Sequence, residues 1–346
     1  MNFRSIAQLS DQLLRWSHRL PDDVEVVVGI PRSGMLAASM LALYLNVPLT
    51  DVDGLLAGRC FASGTGRRKR YAADPTAPTP GGFLSTSRTV LVVDDSLLSG
   101  RSMREVRERI EAAGLPHRVQ YAAVYVLPGR TGDVDHYCEA LNGPRVFEWN
   151  LLHGELVRKF CVSLEGVLCR APCGAGPDMV ADGAVLRDAR PYLAPTVEIG
   201  WVVSERPERH RAETEAWLGA HGIEYRELVM DAHAPAPGPP GSGSAFKADV
   251  YRSTGAALFV EGSTRQAVEI ASLTGRHVLC TESMLLVQPG TAPLPRPALF
   301  GDLHPPARST IRQWLARLSR RAARAVLPAA GIEAIRARRA RRSDGG

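Results

Sequence analysis

Buried-type apolar runs alternate with amphipathic segments along the first 150 residues. Apolar positions recur at helical spacing over residues 6–20 and stop at Pro21, which predicts one helix. Two β-branched runs, 24–30 and 89–94, are typical of strands buried on both faces, and each leads through a short turn into a helical pattern. The predicted elements are helices at 6–20, 35–45 and 101–113 and strands at 24–30, 89–94, 121–127 and 145–149.

This alternation predicts an α/β fold in which a parallel sheet is covered by helices on both faces and joined by right-handed crossovers. Residues 54–87 interrupt the alternation because they are rich in Gly, Pro, Ser, Thr and Arg and have no clear period. We expect a long loop there, and loops of this length are usually functional or disordered.

The second half predicts another α/β unit, with a Pro/Gly/Ser hinge at 234–243. Its predicted strands are 160–164, 197–203, 225–230 and 257–260, and its predicted helices are 208–221, 246–254 and 265–273. We therefore expect four regions, with a linker and a basic tail after the two α/β domains. They are residues 1–150, 151–285, 286–306 and 307–346.

Composition narrows the functional classes. Hydrophobic residues make up 45% of the chain and charged residues 23%, and no apolar run approaches the roughly 18 residues of a membrane span. The start lacks the apolar core of a signal peptide, and the six scattered cysteines indicate reduced thiols, so we expect a cytoplasmic protein. Between Ala307 and Arg342 lie eleven arginines and one glutamate, which leaves the rest of the chain about −4. A nucleic-acid-binding body is therefore not expected.

Candidate chemistry is concentrated in residues 90–103, where a strand, a small-residue turn and a helix start follow one another. Asp94 and Asp95 stand where they could accept hydrogen bonds from two vicinal sugar hydroxyls. Backbone N–H groups at a helix start favour a terminal phosphate, because the donors are unpaired and the helix dipole is positive there. The predicted binding residues of this turn are Ser96, Ser99, Gly100, Arg101 and Ser102.

These residues resemble the phosphoribosyl-pyrophosphate motif of type I phosphoribosyltransferases, although Ser99 stands where Thr is commoner and Arg101 is bulkier than usual. The resemblance implies a Rossmann-like parallel sheet, phosphoribosyl pyrophosphate as co-substrate and Mg²⁺ near Asp94 and Asp95. The alternative interpretation is a buried strand with a solvated Asp pair before a helix cap.

The turn at residues 29–34 is similar to the pyrophosphate loop of the same family. That similarity implies that Arg32 meets the pyrophosphate and that Ser33 and Gly34 offer backbone N–H groups to it. Taken alone, the turn is equally well explained as an ordinary connection between a strand and a helix.

The basic run in the long loop lies where the family carries a catalytic lid. The resemblance implies that these cations close over the leaving pyrophosphate, whereas a charge run by itself is often only solvated. An acceptor hydroxyl also needs a base, for which Asp51 or Asp53 is a candidate, with a turn-forming Asp pair as the plainer alternative. The lid residues are Arg67, Arg68, Lys69 and Arg70, followed by Tyr71.

Residues 160–168 resemble the first motif of haloacid-dehalogenase-like phosphatases, but Ser163 and Glu165 replace its two aspartates. An aspartyl-phosphate intermediate is then not available. Ser204, Lys247 and Glu261 are similar in order and spacing to the later motifs. We therefore interpret residues 151–285 as a domain of this kind without phosphatase activity.

This combination resembles the two-part phosphoribosyltransferases of bacterial polysaccharide (ribofuranose) biosynthesis clusters. It implies transfer of phosphoribose to a glycan, in some systems lipid-linked, with a separate phosphatase acting on the product. The alternatives are a nucleobase phosphoribosyltransferase resembling the orotate enzyme and a non-catalytic regulator that senses phosphoribosyl pyrophosphate. The architecture alone does not choose between them.

The basic tail carries an apolar stripe among its arginines, which predicts a helix. One interpretation places it on the anionic inner face of the cell membrane, and the other packs it on its own domain before an Arg-rich end. The stripe consists of Ile311, Trp314, Leu315 and Leu318.

Overall fold

Two mostly parallel β-sheets, each covered by helices, organise the protein. The computed structural model describes residues 1–61, 88–170, 186, 189–232 and 242–290, and every structural statement below concerns those residues. The described part lies within a compact unit formed by Met1–Pro293.

The first sheet has the strand order β3-β2-β4-β5-β6, and all of its neighbouring strands run parallel. It confirms the predicted α/β class. Its elements are β1 (Asn2–Arg4), α1 (Ile6–Ser17), β2 (Val26–Gly29), α2 (Gly34–Leu45), β3 (Leu49–Asp51), α3 (Val52–Leu56), β4 (Thr89–Leu97), α4 (Arg101–Ala112), β5 (Arg118–Val126), β6 (His136–Ala140) and β7 (Arg145–Phe147).

Alternation along β4 explains why helices cover both faces of this sheet. Leu91 and Val93 belong to a buried cluster with residues of α1 and α2, whereas Val90 and Val92 belong to a cluster with residues of α3 and α4. Successive side chains of a strand point to opposite faces, so a fully apolar strand needs a helical layer on each side.

The second sheet has the order β12-β11-β8-β13-β14-β15, parallel except for the last pair. The central strand β8 lies between β11 and β13, so their carboxyl ends meet at one edge. The elements are β8 (Phe160–Ser163), β9 (Cys169–Arg170), β10 (Arg190–Pro191), β11 (Ile199–Pro207), α5 (Arg211–Ala220), β12 (Tyr225–Asp231), α6 (Ser242–Thr254), β13 (Leu258–Glu261), α7 (Thr264–Thr274), β14 (Val278–Cys280) and β15 (Leu285–Val287).

The segment around β7 joins the two sheets. Strand β7 pairs in parallel with β1, outside the five-stranded sheet. Phe3, Val146, Leu151 and Leu152 then share one buried cluster with residues of β8 and β11. The chain leaving the first sheet is therefore part of the core of the second.

Several predicted boundaries differ from the structure. Strand β4 continues through Asp95 to Leu97, where the sequence predicts a turn, because its pairing with β5 extends to Leu97. The strand predicted at 145–149 has only three residues and joins β1 instead of the main sheet. The predicted loop 54–87 begins inside α3. Residues 62–87 and 291–346, with the predicted lid, tail and most of the linker, lie outside the described residues.

Within the described part, no helix has the length and apolar character to cross a membrane.

Candidate functional site

The candidate site lies at the carboxyl edge of the first sheet, where β2 and β4 run side by side. Gly29 of β2 is in register with Val93 of β4, and the Ile30 N–H donates to the Val93 carbonyl at 2.9 Å. The loop after β2 therefore runs past the two carboxylates that follow Val93. In open parallel sheets, ligands bind outside this edge of the strands.

Asp95 is held by two donors from distant parts of the chain. Ser33 Oγ donates to its Oδ1 at 2.8 Å, and Trp149 Nε1 donates to its Oδ2 at 2.7 Å. The side chain is only 3% exposed. A buried carboxylate is costly unless it is hydrogen-bonded, and these two bonds offset that cost.

Asp94, adjacent to Asp95, is in a different electrostatic state. Its Oδ1 accepts from the Asp95 N–H at 2.9 Å. Burial raises the pKa of Asp94 to about 8, and the neighbouring charge of Asp95 adds to this effect. Two carboxylates this close resist being charged together, so a cation or a hydroxyl donor would relieve them.

Gly34 brings the backbone of α2 against β4. A Cβ at this position would lie 2.8 Å from the Val93 carbonyl oxygen and 3.0 Å from Asp94 Oδ1. Because carbon and oxygen cannot approach so closely without displacement, any side chain here would push the loop away from the carboxylates. The predicted glycine is thus explained by close backbone packing.

The turn after β4 delivers a helix N-terminus to the same edge. Gly100 has a φ of 73°, a left-handed conformation that favours glycine, and α4 begins at Arg101. Gly100 has no side chain to cap the helix, and the Arg101 N–H donates to Ser99 Oγ at 3.3 Å. The Arg101 side chain pairs with Glu105 at 2.7 Å in an exposed position. Ser102 follows in the first turn of α4, where backbone N–H groups need acceptors from outside the helix.

The loop after β2 carries Arg32 at the surface. Its Nη2 donates to Asn150 Oδ1 at 2.8 Å, and the Pro31–Arg32 peptide bond is cis. Arg32 is thus oriented by a residue of the segment that leads to the second sheet.

The predicted base Asp53 is drawn into an exposed ion pair with Arg109 of α4 at 2.6 Å. Asp51 accepts from the Gly54 N–H at 2.6 Å and caps α3. Ser96 lies within β4, in register with Tyr125 of β5. The predicted lid residues 67–70 lie outside the described residues.

Residues 2–153 match the sequence model of the phosphoribosyl transferase domain. We call this segment, which contains all five strands of the first sheet, the phosphoribosyltransferase domain. Its boundaries contain both the Asp94–Asp95 pair and the Arg32 loop. No curated protein matches the chain.

Three solved structures illustrate the likeness. The purine phosphoribosyltransferase from Pyrococcus horikoshii is 20% identical over 43% of this chain and 92% of its own, with a TM-score of 0.30. Xanthine-guanine-hypoxanthine phosphoribosyltransferase from Helicobacter pylori is 15% identical over 43% and 92%, with a TM-score of 0.30. TT1426 from Thermus thermophilus is 19% identical over 41% and 86%, with a TM-score of 0.28.

The carboxylate oxygens of the phosphoribosyltransferase domain's Asp94–Asp95 pair are suitable ligands for a magnesium ion. Mg²⁺ prefers oxygen ligands and is usually held by one or two carboxylates together with substrate phosphates. Asp94 and Asp95 supply such oxygens, and no cluster of three or more metal-ligating side chains occurs in the described ranges. The pair is therefore suited to an ion that arrives with a phosphorylated substrate.

A second polar cluster lies at the carboxyl edge of the second sheet, outside the phosphoribosyltransferase domain. Lys247 Nζ contacts Glu261 Oε2 at 2.9 Å and Glu205 Oε1 at 2.8 Å, and Ser163 Oγ donates to Glu261 Oε2 at 2.5 Å. Ser163, Lys247 and Glu261 are each at most 1% exposed. The structure thus brings together three of the residues singled out from the sequence, and adds Glu205.

Glu165 and Ser204 complete this cluster. Ser204 Oγ donates to Glu165 Oε1 at 2.6 Å, while Glu165 Oε2 is buried without a hydrogen-bond partner among the described residues. Burial raises the pKa of Glu165, and the charge of Lys247 opposes that rise. A protonated Glu165 would remove the cost of an unpaired buried charge.

Sequence patterns did not indicate two residues that contact the candidate site, Trp149 and Asn150. Each contacts a predicted residue that is more than fifty positions away, Asp95 and Arg32 respectively. The only local signal was an aromatic residue at the end of an apolar run.

The raised pKa of Asp94 predicts a pH-dependent stability for the unliganded protein. A carboxyl whose pKa is higher in the folded state stabilises the fold fully below its unfolded pKa, and this contribution is lost as the pH rises through the folded pKa of about 8. In Mg²⁺-free buffer, the free energy of unfolding should fall from about pH 4, the ordinary pKa of an aspartate, to about pH 8, by at most about 1.4 kcal/mol per pH unit, and level off above that. Urea unfolding at several pH values measures it.

Asp94→Asn is the matched control for that experiment, since it removes the titrating group and keeps the shape. Its unfolding free energy should vary less over the same pH range than that of the wild type. Identical pH profiles for the two proteins would contradict the assignment to Asp94.

Proposed function

We propose that this protein transfers a 5-phosphoribosyl group from phosphoribosyl pyrophosphate to a glycan or other sugar hydroxyl and releases pyrophosphate. The observation that carries the donor half is the buried Asp94–Asp95 pair, flanked by the Arg32 loop and by the N-terminus of α4. The two carboxylates can accept hydrogen bonds from sugar hydroxyls, and the Arg32 guanidinium and the N–H groups of α4 can donate to phosphate oxygens. All of these groups lie along one edge of the first sheet, as the binding of phosphoribosyl pyrophosphate requires.

In this proposal the residues of the site bind different parts of the donor substrate. Asp94 and Asp95 accept hydrogen bonds from the ribose hydroxyls, and the first turn of α4 binds the 5-phosphate. Arg32 binds the pyrophosphate together with the lid residues Arg67, Arg68, Lys69 and Arg70. Mg²⁺, when bound with the substrate, would neutralise charge on the pyrophosphate.

The reaction breaks the bond between the anomeric carbon and the pyrophosphate oxygen and forms one to the acceptor oxygen. Positive charge develops on the sugar ring, and the carboxylates beside it stabilise that charge electrostatically. The acceptor hydroxyl proton passes to a base, for which Asp53 is the candidate once it leaves Arg109. Pyrophosphate leaves with the bonding electron pair.

The glycan acceptor is supported by the interpretation of residues 151–285 as a haloacid-dehalogenase-like domain without phosphatase activity. Ser163 carries a hydroxyl where such a phosphatase needs a nucleophilic carboxylate, and that hydroxyl is buried against Glu261. A domain of this kind would shape the acceptor site. A separate phosphatase would then remove the 5-phosphate from the product.

A nucleobase acceptor is the second candidate, and an aromatic stack favours it. Trp149 lies beside Asp95, is half-buried, and stacks on Phe147 with centroids 4.9 Å apart. A flat ring next to the sugar site could stack on a purine or pyrimidine.

The location of the reaction is part of the same proposal. A lipid-linked glycan would place the enzyme at the inner face of the cell membrane, with the basic tail of residues 307–346 in contact with anionic lipid. The enzyme would otherwise act in the cytoplasm.

The test is mass spectrometry of acceptors incubated with the full-length protein, phosphoribosyl pyrophosphate and Mg²⁺. Glycans and nucleobases form the two arms, and pyrophosphate release is followed in parallel. A glycan that gains one phosphoribosyl unit supports the proposal, and a nucleobase that gains it supports the second candidate. Binding without pyrophosphate release in either arm would contradict both and indicate a regulator.

A further inference from the structure

Trp149 and Asn150, near the C-terminal end of the phosphoribosyltransferase domain, contact the buried Asp95 and the exposed Arg32. We propose that Trp149 and Asn150 are positioning residues of the donor site, which orient Asp95 and Arg32 for phosphoribosyl pyrophosphate. This inference rests on the donor role proposed above for Asp95 and Arg32.

Trp149 fixes the direction of the Asp95 carboxylate. The indole ring stacks on Phe147 at an interplanar angle of 14°, and Phe147 stacks on Tyr125 with centroids 5.1 Å apart. Tyr125 is fully buried, and its hydroxyl donates to Gln12 Oε1 at 2.5 Å. Because the stack determines the plane of the indole, its N–H can donate only along one direction, toward Asp95 Oδ2.

The two oxygens of Asp95 therefore have different constraints. Ser33 Oγ, which donates to Oδ1, belongs to a hydroxyl that rotates and can serve as donor or acceptor. The indole N–H is a donor only and has no such freedom. The Trp149 N–H consequently sets the plane of the Asp95 carboxylate, and the Ser33 hydroxyl can rotate to keep its hydrogen bond to Oδ1.

Asn150 performs the corresponding task for Arg32. An exposed arginine has many rotamers, and ordering it costs side-chain entropy. The bond from Nη2 to Asn150 Oδ1 uses one of five N–H groups and restricts the rest of the guanidinium. The remaining donors can still bind an anion, so the asparagine pre-organises Arg32 without neutralising it.

Anchors on both sides hold this dipeptide in place. On the N-terminal side, Phe147 is buried in the core of the first sheet, and β7 pairs with β1. On the C-terminal side, Leu151 and Leu152 are buried with residues of the second sheet, and the Thr196 N–H donates to the Leu152 carbonyl at 3.1 Å. The positions of Trp149 and Asn150 thus depend on both sheets.

The test compares Trp149→Phe and Asn150→Ala with the wild-type full-length protein. Trp149→Phe keeps an aromatic ring on Phe147 but removes the N–H donor together with one ring of the indole. The dissociation constant for phosphoribosyl pyrophosphate in Mg²⁺, measured by calorimetry, should rise about ten- to a hundredfold for Trp149→Phe, and about three- to tenfold for Asn150→Ala. The thermal midpoints should change little.

Trp201→Phe is the matched control, because Trp201 Nε1 also donates to a carboxylate, Glu227 Oε2 at 3.1 Å, but in the second sheet. It should bind phosphoribosyl pyrophosphate as the wild type does. Asn150→Asp keeps an acceptor for Arg32 but neutralises its charge, so it should not restore the affinity lost in Asn150→Ala.

A double-mutant cycle separates positioning from general stability. In an Asp95→Asn background, Trp149→Phe should change the affinity less than it does in the wild type, since the two residues act through one contact. Wild-type affinity in both single variants would overturn the inference and leave the proposed function standing. A wild-type protein that does not bind phosphoribosyl pyrophosphate would overturn both.

Discussion

Replacement of both Asp94 and Asp95 by asparagine is expected to lower kcat/KM for phosphoribosyl pyrophosphate by about 10²- to 10⁴-fold. Mg²⁺ bound with the substrate would favour the charged form of Asp94, so in the complex each substitution removes a charged acceptor, and a hydrogen bond to a charged group contributes about 1.5–3 kcal/mol. At position 95 the loss is larger, because Trp149 and Ser33 both donate to the carboxylate and an amide can accept at only one of its two ends. Steady-state pyrophosphate release with the reactive acceptor measures the effect.

A charge-matched control distinguishes the site from the overall charge of the protein. Asp11 and Asp249 are exposed, and in the described part of the chain each pairs with an arginine three or four residues away on its own helix. Such pairs contribute little, so Asp11→Asn combined with Asp249→Asn should retain wild-type turnover. Unchanged turnover in the Asp94→Asn, Asp95→Asn protein would show that the donor site lies elsewhere.

Lys247→Met is expected to destabilise the protein by about 3–5 kcal/mol, the usual cost of removing one partner of a buried ion pair. Lys247 is 1% exposed and contacts Glu261, Glu205 and Gln266 at 2.8–2.9 Å. Burial lowers the pKa of Lys247, but the charges of Glu261 and Glu205 outweigh it and the pKa is raised. Without the ammonium group, the buried Glu261 carboxylate keeps two hydrogen-bond donors, the Ser163 hydroxyl and the Ser263 N–H, but loses its positively charged partner.

Urea unfolding measures this loss, and Lys159→Met is the matched control because Lys159 is exposed. A double variant with Lys247→Met and Glu261→Gln should recover part of the lost stability, since it removes the uncompensated charge. If Lys247→Met unfolded at the same urea concentration as Lys159→Met, the cluster would contribute nothing to the fold.

The arrangement of the candidate site at the carboxyl edge of the first sheet could be predicted, because each element that forms it is continuous in the sequence. A strand, a turn and a helix start lie within residues 90–103, and a second such unit surrounds Arg32, Ser33 and Gly34. Parallel strands bring their carboxyl ends to one edge, so two local patterns suffice to place these residues together. The same reasoning applies to Ser163 and Glu261, which end the neighbouring strands β8 and β13.

The remaining contacts could not be read from local patterns. The sequence predicts that the strand ends at Asp94, because carboxylates are rarely buried, yet Asp95 also lies inside β4 and depends on partners from elsewhere in the chain. Strand β1 has three residues, two of them polar, and such a segment has no measurable period. The bonds of Trp149 and Asn150 form only once tertiary structure brings distant segments together.

The pairing of β1 with β7 also bears on synthesis. During synthesis β1 leaves the ribosome before the first sheet, whereas its partner, residues Arg145–Phe147, emerges after every strand of that sheet. Closing so long a loop is slow compared with local pairing. Trp149 and Asn150 emerge immediately afterwards, so every strand of the first sheet is available for folding before Asp95 and Arg32 can gain these two contacts. Competence to bind phosphoribosyl pyrophosphate should therefore arise late in translation, when the second half has begun to leave the ribosome.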